Sequence, residues 1–222
     1  MAEAVDKAYR TIRDGIISGL YPQGSHVTAQ VLAAASGLSR TPVREAMRRL
    51  HSEGLIQIIP NRGAFVASWN EQDIEQYFDL VLVLETFSAE LAAKRITEAE
   101  LQPLRELVAE MDAVVLSDDP DVDDIKEVND RFHKAVMAAC GNARLLHYLS
   151  SLIEAELVFG TFHQYNPEEL RRSAMQHAEL VSALEAHDPV WARSVMATHL
   201  LSARHALLRS LEKGRPKSAN AR

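Results

Sequence analysis

The sequence predicts a mainly α-helical protein with a small β-hairpin, in two parts: a winged helix-turn-helix over residues 1–69 and an all-α bundle over residues 70–211. A polar tail, 212–222, is expected to be disordered. Three observations lead there. Before residue 70, two capped helical segments around a glycine run into a strand-turn-strand pattern. After it, capped amphipathic segments follow one another with no convincing strand signal. Charge divides at the same place: residues 1–68 hold eight Lys/Arg against five Asp/Glu, a net +3, and the remainder holds 16 against 26, a net −10. A basic module joined to an acidic one points to phosphate contact confined to the first.

The chain of 222 residues fits two domains of roughly 70 and 150 residues. With 47% hydrophobic and 25% charged residues it has an ordinary globular composition, which excludes disordered and fibrous classes. No apolar run approaches the roughly 20 residues of a membrane span. The opening MAEAVDKAYRTIRDGI has no apolar core of a secretory signal, so a cytoplasmic location is expected. The single cysteine, Cys140, excludes an internal disulfide and reads as a buried hydrophobe in a reducing compartment.

Residues 5–18 place Val5, Ala8, Tyr9, Ile12, Ile16 and Ile17 at helical spacing, closed by Gly19. After the turn signal Tyr21-Pro22-Gln23-Gly24, Thr28 is expected to cap a short helix with Val31, Leu32 and Ala35 on its apolar face, ending at Gly37. Ser39 is expected to cap the next, RTPVREAMRRLHSEGL, which buries Val43, Met47 and Leu50 and leaves Arg40, Arg44, Arg48 and Arg49 on other faces. Leu55–Ile59 and Ala64–Ala67 are β-prone and bracket Pro60-Asn61-Arg62-Gly63, a hairpin that would form the wing. In a helix-turn-helix the second helix enters the major groove amino end first, which puts Arg40 and Arg44 nearest bases and phosphates. Arg62 at the wing tip is placed for the backbone or minor groove.

LSRTPVREAMRRLHSEGL followed by IIPNRGAFV resembles the amino-terminal domain of GntR-type bacterial regulators over about residues 5–68. The resemblance implies that Arg40, Arg44 and Gly63 contact operator DNA. The candidate DNA-binding set is therefore Arg40, Thr41, Arg44, Arg48, Arg62 and Gly63. At Gln30 the fatty-acid-responsive members carry an arginine that also touches DNA, so a weaker or different contact is expected there.

Beyond Asn70, helices are expected at 71–95, 98–117, 124–140, 143–160, 167–186 and 189–211, with 118–123 an acidic loop. Thr97 with Glu100 reads as a capping box, Asn166-Pro167 and Asp188-Pro189 as cap and first turn, and Gly141-Asn142 as a stop. Asn129 and His133 stand at i and i+4 on one helix face, about 6 Å apart. His177 and His199 lie eleven residues on either side of Asp188, so on antiparallel helices they sit at equal height, roughly 16 Å from the turn. Together the four can converge on one divalent cation within a bundle. Taken one at a time, each histidine also reads as a hydrogen-bonded core or surface residue; His26, His51, His147, His187 and His205 are assigned that role, and His163 is left open.

NDRFHKAV, CGNARLL, QHAELVSALEAHD and ATHLLSARHALL make residues 71–211 resemble the FCD domain of GntR regulators, in which an Asp-x-x-x-His pair and two later histidines bind a metal. Two positions depart from that pattern. The family's aspartate corresponds to Asn129, with Asp130 rotated about 100° away on the helix. The arginine that many relatives carry four residues before the glutamate matching Glu85 is here Val81. The resemblance implies a sequence-specific transcriptional regulator that binds double-stranded operator DNA as a homodimer. Its operator affinity would be controlled by a small-molecule effector, an organic acid or related anion. The effector would bind beside a divalent metal held by Asn129, His133, His177 and His199; zinc is expected, with nickel or manganese as alternatives. Two other classes fit the same residues: a regulator in which the cation is itself the effector, and a helical metalloenzyme, for which the sequence offers no evident general base.

Overall fold

The computed structural model describes residues 2–68, 70–117, 119–149 and 165–214, which form two compact units that meet in sequence between Asn70 and Glu71. The first unit runs α1 (Ala2–Ile17), β1 (His26–Val27), α2 (Ala29–Ser36), α3 (Arg40–Ser52), β2 (Ile56–Ile59) and β3 (Gly63–Val66). Its core is continuous: Ala8, Tyr9, Ile12 and Ile16 of α1 meet Leu32 of α2, Val43, Ala46 and Leu50 of α3 and Ile56 and Val66 of the sheet. The Thr28 hydroxyl caps α2 by accepting from the Val31 N–H at 3.2 Å, and Gly37 closes the helix at φ 67°.

Three expectations are corrected here. The apolar face of α2 is Leu32 and Ala33, whereas Val31 is 56% exposed and Ala35 is also exposed. Ser39 holds the N-cap position of α3, but its side chain makes no cap hydrogen bond. The hairpin is part of a three-stranded antiparallel sheet in the order β1-β3-β2, with His26 opposite Phe65 and Ile56 opposite Val66. At the turn between β2 and β3, Gly63 adopts φ +103°, and a Cβ there would run into the ring of His26.

The second unit runs α4 (Glu71–Arg95), α5 (Glu98–Val115), α6 (Val122–Ala139), α7 (residues 143–149), α8 (Pro167–Glu185) and α9 (Pro189–Gly214). α4 packs chiefly on α9 and also on α6, α5 packs on α6 and α8, and α8 pairs with α9 as an antiparallel hairpin. Caps set these boundaries. Glu100 Oε2 accepts from the Thr97 N–H at 2.9 Å, and Asn166 Oδ1 accepts from the Glu168 and Glu169 N–H groups at 3.0 Å. Asp188 Oδ1 accepts from Val190 and Trp191 N–H at 3.0 Å, and Gly141 at φ 63° separates α6 from α7. The connection between α5 and α6 falls two residues earlier than expected, because α5 ends at Val115 and Asp121 caps α6, accepting from the Asp123 N–H at 2.8 Å. α9 continues to Gly214, three residues into the expected tail. Residues 215–222, the expected end of the 143–160 helix beyond 149, and His163 lie outside the described residues. Cys140 is fully buried.

Candidate DNA-reading surface and candidate metal centre

On α3 the residue pattern sorts itself by face. Pro42, Val43, Ala46, Met47 and Leu50 point into the core, and Arg40, Thr41, Arg44, Arg48 and Arg49 stay exposed. Arg40 and Arg44 make no ion pair among the described residues, Arg48 pairs with Glu45 one turn away, and Arg49 is committed to the fold. Its guanidinium lies 3.8 Å from the Tyr9 ring centroid, and its Nε donates to Glu53 at 3.0 Å. Because no side chain caps α3 at Ser39, its first-turn N–H groups add their partial positive charge beside Arg40. Arg62 and Gly63 are exposed at the wing turn, where Asn61 also takes a positive φ of 61°.

In the second unit, α6 buries Ile125, Val128, Phe132 and Val136 along one stripe, and Asn129 and His133 fall on the same stripe. α8 does the same with Ala174, Leu180 and Leu184 around His177, and α9 with Val195, Met196 and Ala203 around His199. The three histidines thereby meet inside the bundle: one ring nitrogen of each lies within 4.8 Å of those of the other two. Ring centroids of His177 and His199 are 4.7 Å apart, and His177 packs on Phe132 at 4.4 Å.

Their hydrogen bonds fix which nitrogens are left over. His133 Nδ1–H donates to the buried carboxylate of Glu85 at 3.0 Å. His199 Nδ1–H donates to Gln176 Oε1 at 3.2 Å. His133 Nε2 and His199 Nε2 face each other at 3.2 Å, close enough to share a proton between the two rings or, with both rings neutral and protonated on Nδ1, to turn two lone pairs toward one point. Facing lone pairs repel unless a positive charge lies between them. The spacing matches two nitrogen ligands on one tetrahedral ion, about 3.3 Å apart for metal–nitrogen bonds of about 2.0–2.1 Å. Both nitrogens of His177 and the Oδ1 of Asn129 are buried with no hydrogen-bond partner. Unpartnered polar atoms of this kind are costly in a closed core, and the acceptors among them, Asn129 Oδ1 and one nitrogen of His177, are the groups a cation would satisfy. Burial, with the neighbouring rings second, holds His177 well below the usual imidazole range and lowers His199 to about 3, so both are neutral and ready to ligate near pH 7. Asp130 is turned away and meets Lys126 at 3.4 Å.

Glu85 and Gln176 are the residues that sequence reasoning missed as partners of the site. Glu85 carried a signal, since it is the one acid in LVLVLETFSA and is 2% exposed. Gln176 carried none. Val81 is buried at 1% exposure. Among the singly read histidines, His51 Nδ1 lies 2.8 Å from the Ile56 carbonyl and His187 Nδ1 2.9 Å from that of Ala93, both ordinary structural contacts.

A winged helix-turn-helix with unspent arginines on its second helix defines a DNA-binding regulator. Residues 4–66 match the family described as bacterial regulatory proteins, gntR family, and residues 76–202 match the FCD domain. The chain belongs to the GntR family of transcriptional regulators and carries an FCD domain; it is not an enzyme. It is 28% identical over 207 residues to the HTH-type transcriptional repressor GlaR of Escherichia coli, covering 87% of this chain and 91% of GlaR. It is 31% identical over 142 residues to an HTH-type transcriptional regulator in the TAR-I ttuE-ttuC' intergenic region of Agrobacterium vitis, covering 62% of this chain and 81% of that one. The fold is that of E. coli McbR/YncC, with a TM-score of 0.80 at 22% identity, covering 95% of this chain and all of that one. No helix among the described residues is long and apolar enough to cross a membrane.

Proposed function

We propose that this protein is an effector-controlled repressor that reads operator DNA with Arg40, Thr41, Arg44, Arg48, Arg62 and Gly63 and senses an organic acid or related anion in its helical unit, beside a divalent ion. The observation that carries the sensing half is the pair of facing Nε2 atoms at 3.2 Å, accompanied by the unpartnered His177 nitrogens and Asn129 Oδ1. His133, His177, His199 and Asn129 would hold the ion, zinc being the best match to three imidazoles. Glu85 and Gln176 would hold His133 and His199 through Nδ1, in the tautomers whose Nε2 can ligate. When bound, a divalent ion with three neutral imidazoles and a neutral amide retains its full charge and supplies open positions for an oxygen-rich anion. Val81 contributes no charge of its own, so recognition falls to the cluster. The repressor sense rests on the relative GlaR, which is described as one. A homodimer is part of the proposal, because one helix-turn-helix reads few bases alone, and Leu80, Val83 and Phe87 form an exposed apolar stripe on α4 suited to a second copy.

The test is elemental analysis of tag-free protein together with binding to operators selected from random sequence. The expected result is about one divalent ion per chain, with His177→Ala or His199→Ala losing both metal and effector response while effector-free DNA binding persists. Asn129→Asp should tighten the metal. Wild-type protein that takes up no divalent ion at micromolar concentration would return the four residues to ordinary packing.

A further inference from the structure

The hairpin of α8 and α9 carries a second feature, a groove of about 300 Å³ lined from one helix by Glu169, Arg172, Ser173 and Gln176 and from the other by Ser202 and His205. That volume is at the lower end of the range of small-molecule sites. What the lining offers depends on which of its groups are already spent. Glu169, the one acid in the lining, accepts two hydrogen bonds from Arg209, at 2.5 and 2.8 Å, and one from the Asn166 N–H at 2.9 Å. Its charge is matched by Arg209, and three of its roughly four acceptor positions are used. Arg172 makes no hydrogen bond or ion pair among the described residues; its charge acts on Glu169 only at a distance, so its N–H donors are left for a ligand. Ser173 is 5% exposed, and its Oγ is buried without a hydrogen-bond partner. Gln176 spends its carbonyl on His199 Nδ1–H and leaves its amide hydrogens unclaimed. The His205 ring likewise has no hydrogen bond among the described residues.

We propose that the groove between α8 and α9 is a second anion site, which takes a small carboxylate on Arg172 with Ser173, Gln176 and His205 as further donors. The site differs from the metal centre in its residues, and Gln176 is the one that touches both. A carboxylate that accepts from the Gln176 amide holds its carbonyl toward His199, which keeps the His199 Nε2 lone pair facing the other histidines. Occupancy of the groove therefore favours the metal-binding tautomer, and by reciprocity the filled metal centre favours the carboxylate. This coupling rests on the metal reading above; the groove itself does not.

Calorimetric titration of the full-length protein with succinate tests the inference, using wild type, Arg172→Gln and His177→Ala. Arg172 is exposed on α8, so its replacement leaves the bundle core untouched. The expected result is succinate binding to wild type, at least about tenfold weaker binding to Arg172→Gln from the loss of a charge-assisted contact, and retained binding to His177→Ala. Affinity unchanged by Arg172→Gln but abolished by His177→Ala would put the carboxylate on the metal and overturn the groove. Wild type that binds neither succinate nor acetate at millimolar concentration would also overturn it. If wild type proves metal-free yet binds succinate through Arg172, the metal reading fails and the groove stands.

Discussion

Arginines of the same helix do different work, and their neighbours decide which. Arg49 stacks on Tyr9 of α1 and bonds Glu53, so it fixes the angle of α3 against the rest of its unit. Arg40 and Arg44, one turn apart near the amino end, have no such commitments. Replacing Arg44 by Ala should weaken operator binding by about 1–3 kcal/mol and flatten its dependence on salt, because a contact in or beside the groove is lost. Titration of labelled operator at two salt concentrations measures both, and an unchanged affinity would mean that α3 is not the reading helix. The melting temperature of this variant should match wild type, since Arg44 is exposed and supports no packing.

At the scale of elements, the stripe of Leu80, Val83 and Phe87, exposed at 56, 62 and 41%, is the feature of α4 that packing within its unit does not use. If α4 forms the proposed homodimer interface, Val83→Glu should yield monomers and lower operator affinity at least tenfold, since two half-sites would no longer be held together. Light scattering with the same DNA titration decides it; a variant that stays dimeric would move the interface elsewhere. The helices of this half were legible because their caps are chemical signals with fixed positions: Thr97 with Glu100, Asn166 with Glu169, and Asp188 before Pro189. The face of α2 was not. AQVLAAAS is so rich in alanine that its helical period is nearly the same on two faces, and only packing selects Leu32 with Ala33 over Val31 with Ala35. β1 was missed because a strand of two residues has no period to read. At the candidate metal centre, the histidines could be brought together from turn position and helical rise. Gln176 could not, because its partnership with His199 depends on the rotation of α8 about its own axis.

The molecule as a whole should feel its buried imidazoles when the metal is removed. In the folded, metal-free chain His199 stays neutral to about pH 3 and His177 to well below 6.5, whereas the unfolded chain takes up a proton on each as pH falls through 6.5. Below that pH the unfolded state binds more protons, so stability is full above 6.5 and declines progressively toward about 3. Thermal melts of chelator-treated protein between pH 7 and pH 4 should show this loss, reduced in His177→Gln and His199→Gln. An equal decline in all three would place the acid sensitivity in other groups.

Gly63 gives the wing a particular genetic signature. Its positive φ strains any side chain there, and the exposed His26 ring beside it would have to move aside, before any DNA is present. In a mutational scan selecting for repression, Gly63 and Arg62 would both score as intolerant, yet for separable reasons. Overexpression of the protein, or low salt, would rescue a lost charge at Arg62 by mass action on the operator, whereas a deformed turn at Gly63 would respond to cooler growth and much less to dose.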